Sequence, residues 1–263
     1  MLTKAQALTR QCLLRINGFD CGHVDMVWGP KSRYAWNLAK KMSDVNDDDQ
    51  LEKNLAEVID TRLITPLGYC AIVYFEIGSP PLGKASLVPT VVPSAASGVT
   101  IGIGYDLAYE VNVQRILRKY VHDERIRAVL SNAVGLKGSN AKAAIAGKKC
   151  DISLGEALSL FENVTLPDLR RTTESVFPRG TIPEDAFAML MSLVYNRGPS
   201  IIGPRRKEMA EIHRICKAKT GYDKIPKLLT DMINLWPDTL SGLRKRRALE
   251  AEFFAEALER QRQ

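Results

Sequence analysis

The sequence predicts a mostly helical α+β protein in two parts: a small three-helix domain over residues 1–64, and a larger helical domain with a small antiparallel sheet over residues 65–263. Three observations predict it. Apolar residues recur at helical spacing through most of the chain, as in Leu8, Leu13 and Ile16 or Leu51, Leu55 and Ile59. The stretch from Lys84 to Tyr105 breaks that rhythm with β-branched residues, Gly and Pro, and reads as a small sheet or hairpin. Between the parts, Thr65 and Pro66 form a fresh helix start, since threonine caps free amides and proline suits the first helical position.

In the first part the spacing predicts helices over residues 3–16, 31–42 and 49–63. Gly18 and Gly22 punctuate the first junction, and Gly29 with Pro30 opens the second helix. Asp47, Asp48 and Asp49 suit the first turn of the third helix, where negative charge meets the positive end of the macrodipole. In the second part, the helix LGYCAIVYFE ends at Gly78, with Pro80 and Pro81 beyond it. From Glu110 onward the pattern is helical again. Ser153 and Glu156 have capping-box spacing, Pro183 opens a helix that Gly198 closes, and further helices are expected near 205–218, 222–235 and 240–261. There is no internal repeat and no low-complexity segment.

Composition excludes several classes. With 45% hydrophobic and 25% charged residues the chain can bury a core, and no run of about 18 apolar residues suggests a membrane span. Lys4, Arg10 and Arg15 interrupt the apolar residues at the N-terminus, so no secretory signal is expected and synthesis in the cytoplasm follows. Five cysteines without metal or redox spacing predict reduced, partly buried thiols, with Cys12 and Cys21 the pair to watch. The formal charge of +7 lies wholly after residue 64, where a basic region would attract polyanions. His23 reads as a loop histidine rather than a zinc ligand, and no metal or cofactor is expected.

The chemistry centres on Glu76. It closes the apolar turn of Ile72, Val73 and Phe75 at a helix C-terminus, with no basic neighbour in sequence until Lys84. Desolvation and the helix dipole there would favour a neutral carboxyl, which suits a general acid. Glycoside cleavage needs such an acid and usually a second, ionised carboxylate. No Asp or Glu occurs between Ile77 and Tyr105, so Asp106 in SGVTIGIGYDL is the natural partner. Alternation puts Val99, Ile101, Ile103 and Tyr105 on one face of this string and Thr100, Gly102, Gly104 and Asp106 on the other. Six residues of straight strand span about 20 Å, too far for Thr100 and Asp106 to serve one bond, so the chain must bend at Gly102 or Gly104. The same glycines would let a sugar approach the main chain. Taken alone, the string also fits a purely structural hairpin. It lacks the spacing of a phosphate-binding loop.

These residues resemble a known family. Glu76 followed by GVTIGIGYDL, with Thr100 and Asp106, is similar to the catalytic region of the pesticin-type muramidases, relatives of the phage-type lysozymes. The resemblance continues through AFAMLMSLVYNRG at 186–198 and LWPDTLSGLRKRRALEAEFF at 235–254, covering nearly all of residues 65–263. The order Glu, Thr, Asp matches the pesticin type, whereas the phage type has Asp before Thr. QCLLRINGFDCGHVDMVWGPKSRYAWNLAKK, within residues 3–42, resembles helical peptidoglycan-binding domains of wall hydrolases.

The resemblance implies a lysozyme-like fold that cleaves the β-1,4 bond between N-acetylmuramic acid and N-acetylglucosamine. Glu76 would be the acid, Asp106 would orient water and Thr100 would help hold it. In such enzymes an arginine near the last helix pairs with the catalytic Glu, a role open to Arg246 or Arg247, although the cluster Arg244 to Arg247 also reads as a solvated helix face. Tyr105, Asn196 and Arg197 are candidate substrate-binding residues, the last two also suiting a helix end. The implied partner is peptidoglycan, with an immunity protein if the chain is an antibacterial toxin effector rather than a phage endolysin. It would act as a monomer in the periplasm or on the wall of a target or host bacterium. No nucleic-acid-reading motif is present. A lytic transglycosylase and a non-catalytic wall-binding protein are the alternatives.

Overall fold

The computed structural model describes residues 1–82, 86–91, 97–109 and 112–263. It is mostly helical, 63% of it, with a three-stranded antiparallel sheet, so the expected α+β class holds. No helix among the described residues is long and apolar enough to cross a membrane.

The N-terminal elements form where their caps lie. Helix α1, Lys4–Ile16, starts at Thr3, whose hydroxyl accepts from Gln6 N while the Gln6 side chain reaches back to Thr3 N. Helix α2 is Pro30–Ser43 and helix α3 is Asp48–Leu55, capped by Asp47. The expected third helix, 49–63, is therefore cut short. The Leu55 carbonyl, which should accept the next helical bond, instead accepts from Asn17 Nδ2 at 2.9 Å. The Ile59 amide turns to Ala56, and turns carry the chain to residue 63.

Helix α4, Pro66–Ile77, starts at Thr65 and stops at Gly78, whose φ of +68° is open to glycine. The segment 84–105 contributes short strands β1 (Ser86–Leu87), β2 (Thr90–Val91) and β3 (Val99–Ile101), with β4 at Tyr105–Asp106; the expectation for 84–85 and 92–96 lies outside the described residues. Strands β2, β3 and β4 form the antiparallel sheet. Strand β1 pairs instead with β5, Ile152–Ser153, a contact of high sequence separation that the pattern did not reveal.

Helices α5 (Val113–Tyr120), α6 (Glu124–Ser131) and α7 (Gly138–Ile145) follow, then α8 (Leu154–Leu160) behind the Ser153–Glu156 capping box. Glu110, from which helix was expected, lies outside the described residues. A π-turn joins α8 to α9, Leu166–Val176. Helices α10 (Glu184–Arg197), α11 (Lys207–Ala218) and α13 (Ser241–Arg262) match expectation, while the predicted 222–235 helix is α12, Ile225–Asp231, flanked by 3₁₀ turns. Central α10 packs on α4, α9 and α13. One continuous cluster of buried apolar residues runs from Ala5 to Ala257. All five cysteines are buried and unbridged.

Candidate active site

Glu76 sits one residue from the end of α4, where Gly78 turns the chain away and leaves the carboxyl at a groove edge, its side chain 23% exposed. Across the groove is the β3–β4 hairpin. The expected bend occurs at both glycines: Gly102 has φ +55° and Gly104 φ +79°, and the strand reverses between them. Thr100 and Asp106 thereby become direct cross-strand partners. Such partners hold their Cβ atoms about 4.5–5.5 Å apart on one face, close enough to share a water. The opposite face is core, with Val99, Ile101, Ile103 and Tyr105 all buried.

Glu76, Thr100, Gly102, Gly104, Asp106 and Asn196 line one groove of about 500 Å³, together with Ile77, Leu87, Val88, Thr90 and Tyr195. Its walls come from α4, the strand segments and the end of α10. A larger hollow of about 620 Å³ carries Asp49, Glu52 and Glu57, but its lining comes from α3, the turns after it and Pro66 at the start of α4, and includes no residue of the β3–β4 hairpin or of the later helices.

Asp106 is fixed by the backbone. Gly98 N donates to its Oδ2 at 3.2 Å and Ala108 N to its Oδ1 at 2.8 Å. A carboxylate offers about four acceptor positions, so two remain for a water. Gly98 must be small: a Cβ there would lie 2.5 Å from Asp106 Oδ1 and 2.4 Å from the Ala108 Cβ.

Glu76 does have a basic neighbour, supplied from 170 residues away. Arg246 Nη1 donates to Glu76 Oε1 at 2.7 Å. The Arg246 guanidinium is itself held, donating to Ser192 Oγ and O at 3.0 Å and to Glu250 Oε1 at 3.1 Å. Arg247 Nη2 donates to the same Glu250 oxygen at 2.6 Å. Both arginines are buried, which corrects the solvated-face reading for half of the Arg244–Arg247 cluster. Burial pushes Arg247 down to about 10, with Glu250 opposing the shift.

Two candidate binding residues lie elsewhere. Tyr105 is 2% exposed and faces the core, because its parity in the strand is that of Ile101. Arg197, at the end of α10, does not line the groove; its guanidinium lies 5.3 Å from the Trp236 ring centroid and donates to the Arg205 carbonyl. The unforeseen member is Tyr195, whose hydroxyl donates to the Ile103 carbonyl and whose ring occupies the space a Cβ on Gly104 would need. A Cβ on Gly102 would meet Ala157 at 3.1 Å. The two glycines thus admit protein side chains as well as lining the groove.

A family profile described as "Domain of unknown function (DUF8812)" matches residues 89–174. The matched stretch includes Thr100 and Asp106 but not Glu76. No curated protein matches the chain.

Proposed function

We propose that this protein is a peptidoglycan hydrolase, a muramidase with a lysozyme-like catalytic domain over residues 65–263, cleaving the β-1,4 bond between N-acetylmuramic acid and N-acetylglucosamine. The observation that carries the reading is the groove that Glu76 shares with Thr100 and Asp106, two carboxyls from different elements facing one open channel. Glu76 protonates the leaving oxygen. A water held between Asp106 and Thr100 attacks the opposite face of the sugar and gives its proton to Asp106, so the reaction inverts; this geometry needs carboxyls about 6.5–9.5 Å apart, against about 5 Å for retention. Arg246, already 2.7 Å from Glu76 in the resting groove, stabilises the carboxylate before the proton is given as well as after, so Glu76 does not owe its role to the lack of a basic neighbour. Asn196 and Tyr195 contact the sugar chain, and the N-terminal helices contribute to wall binding. The protein serves as an antibacterial effector or an endolysin.

The test is turbidity loss of purified sacculi. Glu76→Gln is expected to lower the rate at least 1000-fold while leaving the melting temperature within a few degrees; undiminished lysis by this variant would end the assignment. Mass spectrometry of the products is expected to give hydrated reducing ends, and anhydro ends would make the enzyme a transglycosylase.

A further inference from the structure

The formal +7 of the chain has an address. Residues 113–149 hold nine Lys or Arg against only Asp123 and Glu124, an excess equal to that of the whole protein. Helix α5 buries Val113, Ile116, Leu117 and Tyr120 and turns Arg115, Arg118 and Lys119 to solvent. Arg125 on α6, Lys142 on α7 and Lys149 after it are exposed as well. None of these six has an acidic partner within salt-bridge distance among the described residues, although most arginines elsewhere do. A surface that gathers like charges without neutralising them carries a standing self-repulsion, which a polyanion relieves.

We propose that the solvent face of α5, α6 and α7 is a docking surface for a phosphodiester polymer of the bacterial envelope. The chemistry of the surface selects this partner class. No large apolar side chain is exposed anywhere on residues 113–149. A folded protein partner or an embedded helix is anchored by large apolar side chains, and a nucleic acid reader stacks bases on exposed aromatic rings; here Tyr120 is buried, the His122 ring is paired with Glu156, and Tyr109 at the edge carries the Lys137 ammonium over its ring. A linear chain of phosphates asks only for spaced cations. The surface is also tied to the groove: Gly135 N donates to the Leu107 carbonyl at 3.1 Å, Gly138 N to the Ser97 carbonyl at 2.9 Å, and the Lys137 ammonium lies 4.0 Å from the Tyr109 ring centroid. A polymer held on these helices would keep the β3–β4 hairpin, and with it Asp106, against the wall. The choice of an envelope polymer rests on the function proposed above, while the affinity for phosphate chains does not.

The experiment uses the full chain and long-chain inorganic polyphosphate. Arg115→Gln, Arg118→Gln and Lys119→Gln together are expected to weaken binding at least tenfold and to reduce the slope of log K against log salt by about 2, three contacts at about 0.7 each. The control, Lys217→Gln with Lys219→Gln and Lys224→Gln, removes the same charge from exposed sites elsewhere and is expected to bind as the unaltered protein does. Equal weakening in both variants, or in neither, overturns the docking surface. Single-stranded DNA or anionic phosphatidylglycerol vesicles binding more tightly than polyphosphate at matched salt would overturn the partner class. Sedimentation with sacculi that keep or have been stripped of their phosphodiester polymers tests the source. Greater retention on unstripped sacculi supports it and equal retention refutes it. None of these readouts needs hydrolysis, so an inactive protein would sink the muramidase reading and leave this one standing.

Discussion

At Gly98 one methyl group decides where Asp106 can stay. The alanine Cβ would press on the Asp106 carboxylate and the Ala108 methyl, both inside any real contact distance, with the Leu136 carbonyl only 3.0 Å behind it. Overpacking of this kind costs about 1–3 kcal/mol, and here the group forced to yield is the proposed water-orienting residue. Gly98→Ala is expected to lower sacculus lysis at least tenfold with a modest loss of melting temperature; full activity would show that the position of Asp106 is unimportant. Glu250 presents the opposite case, a residue that does not line the groove but holds Arg246, which in turn holds Glu76. It is fully buried between Arg246 and Arg247. Glu250→Gln leaves buried Arg247 without a carboxylate within salt-bridge distance among the described residues and leaves Arg246 with Glu76 alone, and breaking such a buried pair costs about 3 kcal/mol or more. A urea midpoint shift corresponding to less than about 1 kcal/mol would contradict that account of the network.

Among the elements, those set by local chemistry were legible and those set by distant partners were not. Thr65, Pro66 and Gly78 bound α4 because caps act within four residues, and the alternation over 99–106 correctly sorted Thr100 and Asp106 from Val99 and Ile101. That same alternation assigns Tyr105 to the core face, so its nomination as a sugar contact ran against the pattern. By contrast, nothing near Leu55 in sequence says that Asn17 will take its carbonyl, and nothing in RKRR says that Arg246 and Arg247 will be drawn inside by Ser192 and Glu250. The acidic start of α3 illustrates both. Its place at a helix N-terminus was readable, but Asp48 also accepts from Trp36 Nε1 at 2.9 Å, pairs with Lys40 and reaches Arg10 at 3.3 Å, joining all three N-terminal helices. The bonds from Lys40 and Trp36 hold its carboxyl below the usual range. A carboxylate depressed on folding stabilises above its unfolded value, near 4, and that contribution is lost as pH falls through the folded value. Melting temperatures of the unaltered protein and Asp48→Asn are therefore expected to differ at pH 7 and to converge toward pH 2; a difference independent of pH would refute the linkage.

For the molecule as a whole, the question is whether residues 1–64 are a separable module. Helix α1 lays Leu8 and Cys12 into the core that α4 fills with Tyr69, Cys70 and Val73, all at or near zero exposure. The junction is stitched by polar bonds too: Val24 N to Ser79 Oγ at 2.7 Å, Arg15 Nε to the Pro80 carbonyl at 2.7 Å, and Lys4 and Thr3 to Glu252 and Glu256 on α13 at 2.9 Å. Two of these bonds land on Ser79 and Pro80, immediately after the helix that presents Glu76. Burying a leucine-sized side chain is worth about 1.5–3 kcal/mol, so a fragment of residues 65–263 would expose an apolar face worth several such terms. Calorimetry of the full chain is expected to show one cooperative transition, and the fragment is expected to melt more than about 10 °C lower or to aggregate. A fragment that keeps the parent melting temperature would make the N-terminal helices a tethered accessory. If the expectation holds, these helices support the α4 end that carries Glu76 whether or not they touch the wall, and their removal would abolish lysis for a structural reason that a wall-binding assay alone would misread.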